Sequence, residues 1–83
     1  MKITIYSTTT CPYCKMLKTY LDEKNLSYEE KLVDQDDSAR DEMVEKSGGY
    51  LGVPFIVFTK DDASEETVIG FDKVKIEEII KKQ

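Results

Sequence analysis

The amino-acid sequence predicts an α/β domain: a four-stranded mixed sheet, element order β-α-β-α-β-β-α, with helices on both faces. Three observations predict it. Short segments rich in β-branched and aromatic residues alternate with segments whose apolar residues recur at helical spacing. Phe55-Ile56-Val57-Phe58 is apolar at every position, as a strand covered on both faces must be. The first two strand-like segments flank a helix, which implies a right-handed parallel crossover, whereas the last two follow each other directly and form an antiparallel hairpin. The 83 residues make one domain, residues 1–83, with a single small core.

Each element has its own signals. Ile3-Thr4-Ile5-Tyr6 reads as the first strand and Ser7 to Thr10 as a polar loop. Pro12 suits the first turn of a helix, where its missing N–H would have no partner anyway. Cys14, Leu17 and Leu21 form the inner face of that helix, with Tyr13, Met16 and Tyr20 beside them. Asn25 stops it as a left-handed residue. Ser27 to Val33 is a second strand and Asp34 to Asp37 a loop. Ser38 with Asp41 predicts a capping box for a second helix carrying Met43 and Val44, which Gly48-Gly49 terminates. After the apolar third strand, Thr59 to Glu65 is an acidic hairpin loop and Glu66 to Ile69 the fourth strand. Gly70 turns the chain, and Asp72 caps a last helix with Ile76, Ile79 and Ile80 on one face. Phe71 and Ile76 sit at the two positions of a hydrophobic staple.

Composition narrows the function. Hydrophobic residues make up 40 % of the chain, enough for a folded core. Seventeen Asp and Glu against twelve Lys and Arg give a charge of −5. That balance excludes general nucleic-acid binding and an anionic membrane surface, both of which need clustered cations. The longest near-continuous apolar run, Val53 to Phe58, is far too short to span a bilayer. No apolar stretch follows the N-terminus, so no signal peptide is expected and the chain reads as cytoplasmic. There is no histidine, which removes Cys-His, Ser-His and His-based metal chemistry. The acidic stretches Asp34 to Asp37 and Asp61 to Glu66 read as solvated loops.

Both cysteines, Cys11 and Cys14, stand in one C-x-x-C. A bridge closing so short a loop restricts the unfolded chain little, so chemistry explains the pair better than stability. Cys11 falls at or just before the cap of the first helix, where free N–H groups and the helix dipole stabilise a thiolate. Cys14 lies one turn on, on the inner face. The spacing gives an exposed attacking sulfur and a sheltered resolving sulfur, with Lys15 a source of positive potential. The pair is also half of a zinc site, but a closed site needs four ligands and would require a dimer; a cluster bridging two chains through Cys11 is a further alternative. Val53-Pro54, before the buried strand, is compatible with a strand start on backbone grounds alone. Tyr13 lies inside the Cys turn beside the exposed sulfur.

Cys11-Pro12-Tyr13-Cys14 after an N-terminal strand, Val53-Pro54 before the third strand and Gly70-Phe71-Asp72 before the last helix together resemble the glutaredoxins, within the thioredoxin-fold superfamily. The resemblance covers essentially the whole chain. It implies a cis peptide at Val53-Pro54, packed against the Cys motif, with the Val53 backbone offered to an extended thiol substrate. It implies a glutathione site in which Tyr13, Val53 and Pro54 line the substrate and Gly70, Phe71 and Asp72 hold the γ-glutamyl carboxylate. Three positions depart from the family pattern. Thr8 replaces a frequent basic residue, so Lys46 or Lys15 would have to meet the glycyl carboxylate. Ile69-Gly70-Phe71-Asp72-Lys73 replaces two glycines followed by an acidic or hydroxyl pair. Phe55 stands where a polar residue is usual.

The activity implied is that of a dithiol glutaredoxin, a thiol–disulfide oxidoreductase acting on protein disulfides, glutathione mixed disulfides or both. Cys11 would be the nucleophile and Cys14 the resolving thiol. Glutathione is the implied co-substrate, with no tightly bound cofactor and no metal. The implied partners are disulfide-containing proteins, with no nucleic acid and no membrane, and the chain acts as a monomer. Gly70-Phe71 is also similar to glutaredoxin-like redoxins that take electrons from thioredoxin reductase and serve ribonucleotide reductase. A metal or iron–sulfur-binding module is the alternative from a different class.

Overall fold

The computed structural model describes residues 1–49 and 52–81. Its elements are β1 (Lys2–Ser7), α1 (Pro12–Glu23), β2 (Glu29–Leu32), α2 (Asp37–Ser47), β3 (Phe55–Thr59), β4 (Glu65–Ile69) and α3 (Lys73–Lys81). The sheet order is β2-β1-β3-β4. β1 runs parallel to β2, with Thr4 opposite Glu29 and Ser7 opposite Leu32. It runs antiparallel to β3, from Lys2 opposite Thr59 to Tyr6 opposite Phe55. β3 and β4 form the expected hairpin, Phe55 facing Ile69 and Thr59 facing Glu65.

Strand periodicity sorts the apolar residues onto two faces. Ile3, Ile5, Ile56, Phe58 and Val68 point to the face covered by Leu17 and Leu21 of α1 and Ile76 and Ile79 of α3. Tyr6, Phe55 and Val57 point the other way, onto Met43 of α2. β3 is therefore buried on both sides, and so is β1, which separates β3 from β2. Sequence adjacency implies the β1–β2 and β3–β4 pairs; the β1–β3 pair joins residues about fifty positions apart and has no local signal. No helix among the described residues is long and apolar enough to cross a membrane.

Helix ends are set as local chemistry dictates, with one correction. Asn25 adopts φ +58°. Leu26 N–H reaches Leu21 O and Asn25 N–H reaches Asp22 O, the paired bonds that close a helix C-terminus. α2 is not capped by a Ser38–Asp41 box. Its cap is Asp36, whose carboxylate accepts from Ser38 N–H at 2.9 Å and Ala39 N–H at 3.3 Å, so Asp37 is already helical. β2 is shorter than Ser27–Val33 because its ladder to β1 begins only at Glu29; Val33 N–H still donates to Ser7 O. The acidic stretches also do more than meet water. Asp34 and Asp62 accept loop hydrogen bonds, while Glu65 and Glu66 belong to β4 and pair with Lys46 and Lys60.

Candidate active site

The C-terminal end of β1, the N-terminal end of β3 and the C-terminal end of β4 meet at one end of the sheet, because Tyr6, Phe55 and Ile69 are in register across it. The loops leaving that end carry the Cys pair, Val53-Pro54 and Gly70-Phe71-Asp72. Topology thus brings the three sequence motifs together.

Cys11 is the N-cap of α1. Its backbone is extended, Pro12 occupies the first helical turn, and its sulfur accepts from Cys14 N–H at 3.1 Å. An N-cap side chain normally satisfies one of the free N–H groups of the first turn, and here sulfur does so. The same N–H and the helix dipole favour negative charge on that sulfur once it is reduced. In the structure the two cysteines are joined as a disulfide, with Cα atoms 5.2 Å apart. Cys11 is 8 % exposed and Cys14 1 %. Both cysteines are buried, so Cys11 is not the exposed sulfur expected; it is only slightly more open than Cys14. No carboxylate lies in the first turn of α1 to oppose a thiolate. Tyr13 is well exposed beside the pair.

Two tethers hold the surrounding loops. Thr9 donates from its N–H (3.1 Å) and hydroxyl (2.7 Å) to Asp34, which ties the Cys loop to the segment after β2. These bonds hold the Asp34 carboxyl below its ordinary value. Gly70 N–H donates to Pro54 O at 2.8 Å, joining the start of the α3 turn to the Val53-Pro54 loop. The Val53-Pro54 bond is cis, as the resemblance implied; Pro54 is buried and Val53 half-buried against the α2-side core. Asp72 caps α3, its carboxylate accepting from Lys75 N–H at 3.2 Å, and Phe71 packs on the core with Ile76.

Of the cations considered for a glycyl carboxylate, Lys46 is unsuited: it lies near the C-terminus of α2, bonded to both oxygens of Glu65 at the far end of the β3–β4 hairpin. Lys15 is exposed on α1. Among the described residues no cluster of three or more His, Cys, Asp or Glu is placed to hold a metal ion.

Sequence reasoning did not foresee a groove of about 340 Å³ between α1 and the start of α3, lined by Lys15, Met16, Tyr20, Phe71 and Lys73 among others. Tyr20 had the helical spacing of a core residue. It is only half-buried: its ring meets Phe71 edge-on at 5.7 Å and its hydroxyl donates to Glu77 at 3.0 Å. Burial and that carboxylate push the phenol up to about 12.

The family model described as Glutaredoxin matches residues 3–62. An uncharacterised glutaredoxin-like 8.6 kDa protein in the rubredoxin operon of Clostridium pasteurianum is 39 % identical over 80 residues, covering 96 % of this chain and 99 % of that protein. Glutaredoxin 1 of Rickettsia conorii is 42 % identical over 55 residues, 65 % of this chain but 54 % of its own length, so the match spans about half of that relative. Among solved structures, the thioredoxin-like protein BC3987 superposes with a TM-score of 0.78 at 31 % identity, covering 93 % of this chain and 97 % of that one. The NrdH-redoxin of Escherichia coli shares the fold, with a TM-score of 0.75 at 23 % identity and 95 % of each chain covered.

Proposed function

The chain belongs to the glutaredoxin family, with a thioredoxin-type fold and a redox-active cysteine pair, and on that premise we propose that it reduces disulfides of protein partners by dithiol exchange at Cys11. The observation that carries the proposal is the Cys14 N–H directed at Cys11 Sγ on a helix N-cap. That donor stabilises the thiolate before attack and as a leaving group afterwards.

The exchange runs in two steps. Cys11 thiolate attacks one sulfur of the partner disulfide; that S–S bond breaks, and the other partner sulfur leaves as a thiolate and takes a proton from solvent. Cys14, deprotonated, then attacks Cys11 Sγ in the mixed disulfide. The second partner sulfur leaves as a thiol, and Cys11 and Cys14 are left as the disulfide. Two electrons pass from the chain to the partner. Two glutathione thiols, oxidised to glutathione disulfide, restore the dithiol. The exposed Tyr13 and the Val53 backbone are the docking edge for the extended substrate. The Phe71 and Asp72 N–H groups, at the start of α3, are the site for a glutathione carboxylate.

A second electron source, a flavoprotein of the thioredoxin-reductase type, is favoured by the cations around the pair. Thr8 offers none and Lys46 is committed to Glu65, which leaves Lys15 alone of the cations considered, and Lys73 stands where the family pattern has an acidic or hydroxyl residue. Losing one charge-assisted contact costs glutathione about 1.5–3 kcal/mol. A coupled assay that supplies electrons through glutathione and its reductase, or through thioredoxin reductase, separates the two sources. Cys11→Ser must abolish exchange with either. Cys14→Ser must lose protein-disulfide reduction and accumulate the Cys11 mixed disulfide. Retained dithiol activity in Cys11→Ser would sink the assignment.

A further inference from the structure

We propose that the groove between α1 and the start of α3 docks an acidic segment of a protein partner that carries one large apolar side chain, within a few residues of the partner's reactive cysteine. The inference deepens the exchange reading and rests on it for the covalent step.

The charge distribution carries it. The chain is acidic overall, and five of its eleven lysines are neutralised locally: Lys2, Lys18, Lys31, Lys46 and Lys60 each pair with a glutamate. The other five lysines among the described residues, Lys15, Lys24, Lys73, Lys75 and Lys81, have no carboxylate partner there. The first three gather at this groove. Lys15 and Lys73 line it. Lys24 Nζ stands 5.0 Å from the Tyr20 ring centre, and Lys73 Nζ lies 5.7 Å from that ring and 5.6 Å from the Phe71 ring. The floor is apolar: Met16 is 51 % exposed, with the faces of Tyr20 and Phe71 beside it. Glu23 is the sole carboxylate in the lining. A cationic rim over an aromatic floor matches acidic side chains around an apolar anchor.

The reach fits. Met16 and Tyr20 lie five and nine residues along the chain from Cys11, about 8 and 14 Å at the helical rise. An extended segment covers those distances in roughly two to four residues.

The test uses two synthetic peptides, each with one cysteine blocked as a mixed disulfide with 2-mercaptoethanol. Their flanks are Glu-Glu-Phe or Gln-Gln-Phe on both sides of the cysteine. Reduced protein should react roughly fivefold faster with the acidic peptide at low salt, the ratio falling toward one at high salt. Lys15→Glu with Lys73→Glu should bring the ratio below one. Lys46→Glu with Lys60→Glu, which changes net charge equally at the far end of the sheet, should leave the ratio as in wild type. Equal rates, or a ratio that follows net charge wherever the substitutions lie, overturns the proposal. The acidic peptide with serine for cysteine should shift the NMR signals of Met16 and Tyr20; no shift there overturns it too. Displacement of that peptide by a short single-stranded oligonucleotide at lower concentration would make the groove a polyanion site and also overturn it. If neither disulfide peptide reacts, the exchange reading fails, while the serine peptide still decides the groove.

Discussion

Gly70 tests how the fold holds the candidate site. Its φ is +80°, and a Cβ built on it meets no atom within 4 Å. Steric crowding therefore contributes nothing to the cost of Gly70→Ala. What remains is the conformational penalty of an L-residue in the left-handed region, about 1–2 kcal/mol. In a domain of this size each kcal/mol moves the midpoint by roughly 4–8 °C. Gly70→Ala should therefore lower Tm by about 4–16 °C. Gly70→Asn should cost clearly less, because asparagine tolerates this region better. Function should follow the backbone. If alanine relaxes to negative φ, its N–H turns away from Pro54 O and frees the Val53-Pro54 loop. The exchange rate with a protein disulfide, measured well below the unfolding transition, should then fall in Gly70→Ala and recover in Gly70→Asn. Urea unfolding and exchange kinetics on the three proteins decide it. Alanine as stable as glycine, or asparagine as damaging as alanine, would refute the conformational account.

Two further predictions concern the α2 side of the sheet. Asp36→Ala should cost about 1 kcal/mol, because the Ser38 and Ala39 N–H groups lose their acceptor, whereas Ser38→Ala should stay within about 0.5 kcal/mol; thermal denaturation of both variants checks the assignment of the cap. Glu42 accepts from the Tyr6 hydroxyl and, at 2.9 Å, from Lys31, and these two partners hold its carboxyl below the usual value of 4.5. A depressed folded-state pKa stabilises the fold above the unfolded value, and that stabilisation is lost as pH falls through the folded value. The stability gap between wild type and Glu42→Gln should therefore be full at neutral pH and close in acid. Chemical denaturation across that range measures it, and a gap independent of pH would show that the Glu42 charge contributes nothing net.

The parts legible in the sequence were those whose cause is local. Pro12 at the first helical turn placed Cys11 on the cap, and the all-apolar Phe55–Phe58 segment placed β3 in the middle of two layers. Asn25 and Gly48 marked helix ends because few residues accept positive φ. The parts not legible depend on distant partners. Asp36, Asp37 and Ser38 are all competent caps, and the choice among them follows from where β2 releases the chain. Lys46 looked free to approach the cysteines until the hairpin placed Glu65 beside it. Tyr20 carries a core residue's spacing, yet it lies at the margin of α1 where α3 begins, so its ring is shared between the core and the groove.

The same distinction governs the electrostatics. A net charge of −5 argues against anionic partners only if charge is spread evenly. Here it is not. Glu29, Glu30 and Glu42 neutralise lysines on the β2 side of the sheet, and Glu65 and Glu66 do so around the hairpin. Lys15, Lys24 and Lys73 are left over at the groove between α1 and the start of α3. Solvent screening confines each exposed charge to roughly a Debye length, ~8–10 Å at moderate salt. A partner whose cysteine has reached Cys11 therefore responds to Lys15 and Lys73 more than to glutamates at the other end of the molecule. On the proposed docking, partner choice follows the charge within that radius of the groove, and the sum over the sequence has little bearing on it.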